Sequence, residues 1–274
     1  MSSTASIQMQ RDVLRNTDRG SGRIVHVLPG TSSMKHLAYA RIRLTEAGSK
    51  AAWNSGKAET GLICLSGEAE IQVGGQTFAL RTYDALYIPR ESEIIVGTKS
   101  NADIAEFSAP VSKGRPLQFV SFAAVQKDGS LSFTTGTAGQ TRQVNVLIGK
   151  NVDAGRLLLG FTVSEPGNYT SWPPHEHAKM LEEMYVFFDM PKPAFGIQMV
   201  YTKPEEPEVV TIVREGDAVL IPEGYHPNVS VPNHRICFLW AMAAHEEEKD
   251  RQYGVVNVQP EFFQGKSGLE ASRK

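Results

Sequence analysis

From Arg23 onward, apolar and polar residues alternate in short runs with the period of two that a strand imposes. Arg23-Ile-Val-His-Val-Leu28, Leu37-Ala-Tyr-Ala-Arg-Ile-Arg-Leu44 and Ala69-Glu-Ile-Gln-Val73 show it clearly. Gly74-Gly75 then reads as a hairpin turn before Gln76-Thr-Phe-Ala-Leu80. Leu62-Ile-Cys-Leu65, Ala85-Leu-Tyr-Ile-Pro89 and Glu93-Ile-Ile-Val96 are short enough for buried strands. A helical period is not sustained anywhere, and only Ala244–Arg251 reads as a short helix. Many short strands divided by turn signals predict an all-β chain of barrels or sandwiches.

The pattern also repeats. Tyr83-Asp-Ala-Leu-Tyr-Ile-Pro89 matches Gly216-Asp-Ala-Val-Leu-Ile-Pro222, and continuing without gaps sets Glu93 where His226 stands. With Trp53 laid on Trp172, Gly56-Lys-Ala58 falls on His175-Glu-His177 and Gly61 falls near Glu183. Such a repeat predicts two similar β-barrels, the first without donor side chains at the places where the second carries them. The expected division is a polar arm over 1–22, a metal-free barrel over 23–125, a metal-binding barrel over 126–258 and a second arm over 259–274. The linker is expected at Ala109–Lys113 or in the Gly/Ser/Thr-rich stretch Asp128–Gln140.

Composition narrows the function classes. With 28 basic and 30 acidic residues there is no electrostatic footprint for nucleic acid or an anionic membrane. No apolar run reaches membrane-spanning length, and Met1-Ser-Ser-Thr-Ala-Ser-Ile-Gln8 lacks the apolar core of a signal peptide. Cys64 and Cys237 lie in apolar runs and read as buried free thiols of a cytoplasmic protein. No Gly-rich nucleotide-binding loop is present, so no organic cofactor is expected.

The chemistry concentrates in Trp172-Pro-Pro-His175-Glu-His177-Ala-Lys-Met-Leu-Glu182-Glu183-Met-Tyr185. Residues two apart on a strand share a face, so His175 and His177 can aim at one point. A turn through Ala178–Leu181 brings back a glutamate, either Glu182 or Glu183. Gly224-Tyr-His226-Pro227 follows a buried strand and adds a further imidazole. Imidazoles with a carboxylate suit zinc, manganese, iron, cobalt or nickel. His26, His36 and His245 belong to no cluster, and His234 reads as a loop residue.

The histidine pair, the glutamate and the later Gly-x5-Pro-x-Gly-x-His resemble the two motifs of the cupin superfamily. The resemblance implies three histidines and one glutamate on one metal inside a small β-barrel. Trp172-Pro-Pro-His-x-His, Leu-Glu-Glu-x-Tyr, Phe195-Gly-Ile-Gln198, Gly224-Tyr-His-Pro227 and Phe238-Leu-Trp240 resemble more closely the 5-deoxy-glucuronate isomerase family of inositol catabolism. The 4-deoxy-5-hexosulose-uronate ketol-isomerase family of pectin catabolism shares the Glu-x-Tyr and Phe-Asp-Met texture. The Glu-x-Tyr pairing favours Glu183 as the ligand; the general cupin spacing favours Glu182. The implied site is His175, His177, Glu183 and His226 on the metal.

That resemblance implies a two-barrel (bicupin) enzyme that turns 5-deoxy-D-glucuronate into 5-dehydro-2-deoxy-D-gluconate. Open metal positions would hold the carbonyl and hydroxyl oxygens while the proton between them is removed. The substrate's carboxylate calls for a cation: Arg142 first, then Lys179. Tyr185 faces the same way as Glu183, and Gln198, Tyr201 and Tyr225 are further candidates for orienting hydroxyls or moving protons. Gln198 and Tyr201 differ by three and cannot both face inward on a regular strand. The alternatives are the pectin-pathway keto-uronate and a cupin dioxygenase. A small uronate sugar is the expected partner, in a homo-oligomer.

Overall fold

The computed structural model describes residues 12–263. The fold is all-β, built as two cupin-type units, with Phe122–Val125 the one short α-helix among the described residues. The helix expected over Ala244–Arg251 is absent. The strand Cys237–Ala244 runs to its first residue, and a tight turn follows in which Glu248 adopts a left-handed φ of 63°. The sheets are not hydrogen-bonded into closed barrels.

In the first half, Ala58–Val73 organises the sheet. Its early residues pair with Ala85–Ile88 and Ala102–Pro110; after a register shift between Cys64 and Ser66 it pairs with Gln76–Arg81 and Glu93–Gly97. Alternation divides its side chains. Leu62 and Cys64 join Ile42, Ile94 and Ile104 in an apolar core that fills this unit. Ile63 and Leu65 join the larger core shared with the second half. Gly61 is needed at that contact, because a Cβ there would lie 2.2 Å from Leu159 Cδ1. Both cysteines are free and buried, and burial pushes the Cys64 thiol up to about 12.

The second half has a sheet centred on Leu181–Phe187, Cys237–Ala244, Leu157–Ser164 and Arg142–Ile148, and a four-stranded sheet that includes Gly196–Val200 and Asn228–Ser230. Its first strand, Ser132–Thr135, lies inside the stretch expected as a surface loop. Those residues pair with Arg142–Ile148 along their whole length.

The repeated Asp-Ala-x-x-Ile-Pro motif has a shared structural role. Ala85–Ile88 and Ala218–Ile221 are fully buried strands in corresponding places. Each preceding aspartate accepts the amide of the residue three before it: Arg81 to Asp84 at 3.0 Å, Arg214 to Asp217 at 3.1 Å. Each also accepts an amide from just past a crossing strand: Phe122, which opens the short helix after the strand Gln118–Val120, to Asp84 at 2.8 Å, and Asn16 to Asp217 at 3.2 Å.

The crossing strand in the second case is Val13–Leu14, which pairs with Val219 and Ala218. Arg15 adds an ion pair to Asp217 at 2.6 Å. Residues 12–17 are therefore fastened to the second half, and Asp18, Ser21 and Gly22 to Arg43 of the first, rather than forming an arm; the rest of the expected arm, 1–11, lies outside the described residues. At the other end, Pro260–Phe262 forms a 3-10 turn, and the remainder of that arm, 264–274, is also outside them.

Two buried glutamates tie the halves together. Glu59 of the first half accepts the amides of Gly155, Arg156 and Leu157 at 2.6–2.8 Å, and the Tyr87 hydroxyl. Glu182 of the second half accepts the amides of Lys35, His36 and Leu37 at 2.6–2.7 Å. Strand pairing gives them matching positions: Thr60 faces Ile88 as Glu183 faces Ile221. The residue standing at the place of Glu183 is therefore Thr60, one before the Gly61 expected near it.

Candidate metal centre

The strand Leu181–Phe187 is buried throughout, so parity alone decides which side each residue serves. Leu181, Glu183 and Tyr185 face a cavity in the second unit, also lined by Phe238, Trp240 and Met242 from the neighbouring strand. Arg142, Thr162, His175 and His177 complete its polar wall.

His177 and Glu183 line it and His226 does not, yet donor atoms of the three lie within 4.8 Å of one another, and all three residues are buried. Glu183 Oε2 is 3.0 Å from His177 Nε2 and 3.1 Å from His226 Nε2. His175 stands beside this group, its ring centroid 4.9 Å from that of His226 and 6.3 Å from that of His177.

The tautomers follow from the backbone. Nδ1 of His175 faces Pro173 O at 2.9 Å, Nδ1 of His177 faces Leu181 O at 3.1 Å, and Nδ1 of His226 faces Gly224 O at 2.8 Å. Carbonyls only accept, so each Nδ1 carries the proton and each neutral ring keeps its lone pair on Nε2. Gly224 presents its carbonyl from a left-handed φ of 99°, where a Cβ would lie 2.9 Å from Tyr201 O.

Two lone pairs therefore converge on one carboxylate oxygen. His226 Nε2 is close to Glu183 yet has no partner in hydrogen-bonding geometry. Such a junction needs positive charge, from a proton or from a metal ion. The 3.0–3.1 Å separations match the roughly 3 Å spacing of donors around an ion with bonds of about 2.1 Å. The donor set fits a divalent transition metal.

The electrostatics agree. Burial works to raise the Glu183 carboxyl, but the His177 and His226 rings overcome it and hold it well below the usual carboxylate range. Burial also drives His175 down to about 3, with His226 beside it adding to the effect, so its ring is neutral. His177 is raised: burial opposes its charged form, and Glu183 more than compensates.

The remaining predicted residues separate into those at the cavity and those away from it. Arg142 is buried and lines it; Nη1 donates to Gln140 O at 3.0 Å and Nη2 to Trp172 O at 2.7 Å. No ion pair joins it to a carboxylate among the described residues, and burial lowers its pKa to about 10. Tyr185 also lines it, its hydroxyl 2.7 Å from Ser171 Oγ.

Lys179 is exposed on the turn between the two motifs and does not line the cavity. Gln198 is buried behind His226: its Nε2 donates to Met199 O and His226 O, and its Oε1 accepts from Asn228. With both ends of its amide engaged, it positions the His226 backbone. Tyr201 donates to Gln259 Oε1 and packs on Tyr225, and neither ring lines the cavity.

The largest contribution not foreseen is the segment Tyr253–Val258. Tyr253, Gly254, Val255, Val256 and Val258 close one wall of the cavity, with Tyr253 stacked on Trp240 at 5.2 Å. Val258 pairs with His175 and Asn257 with Glu176, so this segment also fixes the strand carrying the first histidine. The inward row Phe238, Trp240 and Met242 was visible as a period of two; the closing segment carries no such signal.

An all-β chain of two cupin units, with a histidine–carboxylate cluster inside the second, is the class that this fold and site define. The chain belongs to the KduI/IolB family, which it matches over residues 13–257. It is 24% identical over 239 residues to the 5-deoxy-glucuronate isomerase of Geobacillus thermodenitrificans, covering 81% of this chain and 85% of that protein. It is 28% identical over 189 residues to the 4-deoxy-L-threo-5-hexosulose-uronate ketol-isomerase of Opitutus terrae, covering 67% of this chain and 66% of that one, just under two thirds of its length.

Among solved structures, an IolB-like protein from Salmonella typhimurium LT2 superposes with a TM-score of 0.81 at 22% identity, over 91% of this chain and 97% of that chain. A cupin 2 conserved barrel domain protein from Leptotrichia buccalis gives 0.52 at 13% identity, over 84% and 95%. These two likenesses bear on the fold alone. No helix among the described residues is long and apolar enough to cross a membrane.

Proposed function

We propose that the chain is a metal-dependent aldose–ketose isomerase of the KduI/IolB type, converting 5-deoxy-D-glucuronate to 5-dehydro-2-deoxy-D-gluconate in the cytoplasm during inositol breakdown. The observation that carries the reading is the convergence of His177, Glu183 and His226 beside a cavity, lined by the first two, that also holds a buried arginine without a carboxylate partner. His177, Glu183 and His226 would hold the ion, with His175 beside them as fourth ligand. A divalent ion there stabilises negative charge on the adjacent carbonyl and hydroxyl oxygens of a sugar.

The chain's own residues supply the rest. Arg142 takes the substrate carboxylate, which gives its guanidinium a counter-ion and fixes which end of the sugar meets the cluster. The Tyr185–Ser171 hydroxyl pair borders the same space and is placed to carry a proton between neighbouring oxygens. Phe238, Trp240 and Tyr253 keep bulk water from the reacting carbons.

The second reading is the ketol isomerisation of 4-deoxy-L-threo-5-hexosulose uronate, favoured by the Opitutus relative. Metal analysis followed by NMR of each uronate incubated with metal-loaded protein separates the two. Conversion of neither uronate would end both readings, and uptake of oxygen would point to a dioxygenase instead.

A further inference from the structure

The four-stranded sheet of the second half turns an apolar face outward. Its strands lie in the order Tyr169–Thr170, Asn228–Ser230, Gly196–Val200 and Val209–Val213. Parity sends Thr170, Asn228, Gln198 and Val200 inward, and all four are buried. The outward positions are Tyr169, Val229, Ile197, Met199, Ile212 and Val210. Five of these carry aliphatic side chains and the sixth an aromatic ring. A sheet with one face in water ordinarily alternates apolar with polar residues, and this one does not.

Register makes the six one patch. Ile197 stands between Val229 and Ile212, Met199 beside Val210, and Tyr169 beside Val229. Trp172 packs on Tyr169 at 4.9 Å and Phe262 on Trp172 at 5.0 Å, which carries the apolar surface past the edge of the sheet. Val210 is 54% exposed, Ile212 42% and Ile197 37%. Single exposed apolar residues need no explanation, but a contiguous group on one sheet marks a contact surface. The contact uses the face and not the open edge, because Arg15 already donates to Ile212 O and Thr211 Oγ1 along the outer strand.

The charges at the two ends of the patch identify its partner. The loop from Gly196–Val200 to Val209–Val213 carries Lys203, Glu205, Glu206 and Glu208, all exposed, so this end is acidic. At the opposite end stand the exposed Lys192 and Arg214, the latter over the Phe195 ring at 5.8 Å. None of these six forms an ion pair among the described residues. A surface that is acidic at one end and basic at the other is complementary to itself when turned end for end.

We infer that this face joins two copies of the chain, sheet on sheet, in a two-fold dimer. The axis lies between the faces, at right angles to the strands and level with Thr211. Val210 then meets the partner's Ile212, and Glu208 meets the partner's Arg214. Strands of five residues, about 17 Å long and about 4.8 Å apart, make a small face by themselves. With the aromatic rim and the two charged ends each copy buries roughly 600 Å², the lower limit of specific interfaces. Association in about the micromolar range follows. The inference is independent of which sugar the metal centre takes.

The test is sedimentation velocity of the full chain over about 1–100 μM. Val210→Lys and Ile197→Lys place a charge within the patch, at exposed positions that should leave the urea midpoint unchanged. Arg214→Glu sets like charges against each other, and Arg214→Glu combined with Glu208→Arg exchanges the two ends. The unaltered chain should reach at least two copies per particle, and each lysine variant should halve that number. Arg214→Glu should weaken association about tenfold or more, and the double exchange should recover it. A monomer at every concentration would overturn the inference, whether solvent or the chain's own ends cover the face. So would an oligomer that both lysine variants leave intact, or a double exchange that keeps its urea midpoint and recovers nothing.

Discussion

Glu182 and Glu183 are neighbours on one buried strand and serve opposite sides of it. Glu182 takes three amides of the first half, Lys35 to Leu37, and Glu183 faces His177 and His226 inside the second. Their substitutions should therefore fail differently. Glu183→Gln should lose bound metal and turnover with little change in folding. Glu182→Ala should leave metal content per folded chain intact and lower stability by on the order of 3 kcal/mol, since buried amides lose a charged acceptor. Urea denaturation and metal analysis on both proteins check this; the reverse pattern would exchange the two roles.

Loss of an imidazole should be decisive in one half and a surface carboxylate dispensable in the other. The protein should bind about one metal ion per chain, and His226→Ala should abolish both metal and turnover. Glu93, which ungapped alignment sets at the place of His226, is exposed and accepts from Asn54 Nδ2 at 2.7 Å. Glu93→Ala should leave metal content and rate unchanged. A second metal per chain, or a rate loss in the Glu93 variant, would count against a purely structural first unit.

Arg142 should reveal the substrate's charge. With Arg142→Met, kcat/KM for a uronate should fall about 10- to 100-fold, the worth of one charged hydrogen-bond pair. An aldose without the carboxylate should be affected little, and Arg142→Lys should restore part of the loss. Equal losses on charged and neutral substrates would make Arg142 a structural residue held by Gln140 and Trp172.

Metal affinity should fall on acidification. His177 in the metal-free site is raised above its ordinary value because burial is outweighed by Glu183. A raised histidine holds its proton to higher pH, and that proton must leave before Nε2 can bind an ion. Affinity should therefore climb through neutral pH and level off above the His177 pKa. Titration with a metal indicator at several pH values checks it; affinity independent of pH would mean that His177 is not a ligand.

Much of this was legible in the sequence because strand parity is a strict rule. The alternating runs foretold the sheets, and Glu183 with Tyr185 foretold two side chains on one wall. The Asp-Ala-x-x-Ile-Pro repeat was legible because a recurring aspartate holds the backbone just past a crossing strand in each half. Less visible was whatever depends on partners far along the chain. Gln198 looked like a cavity residue, but its amide is consumed by Asn228 and the backbone around His226. Residues 253–258 carry no motif, and their place is set by pairing with His175 and Glu176. Gly61 was expected near the place that Thr60 takes because the turn between Trp172 and Glu183 is longer than that between Trp53 and Thr60, and no motif marks where the difference falls.

The order in which a ribosome releases this chain now matters to its chemistry. Val13 and Leu14 are made some 200 residues before their strand partners Val219 and Ala218. His175 acquires its partner Val258 later still. A nascent chain that has passed Glu183 already holds most of the donor atoms, but with neither His226 nor the wall that shields them. The cluster is thus completed only once His226 has been made, and a chain stopped before Tyr253 would lack the wall that Tyr253–Val258 gives its cavity.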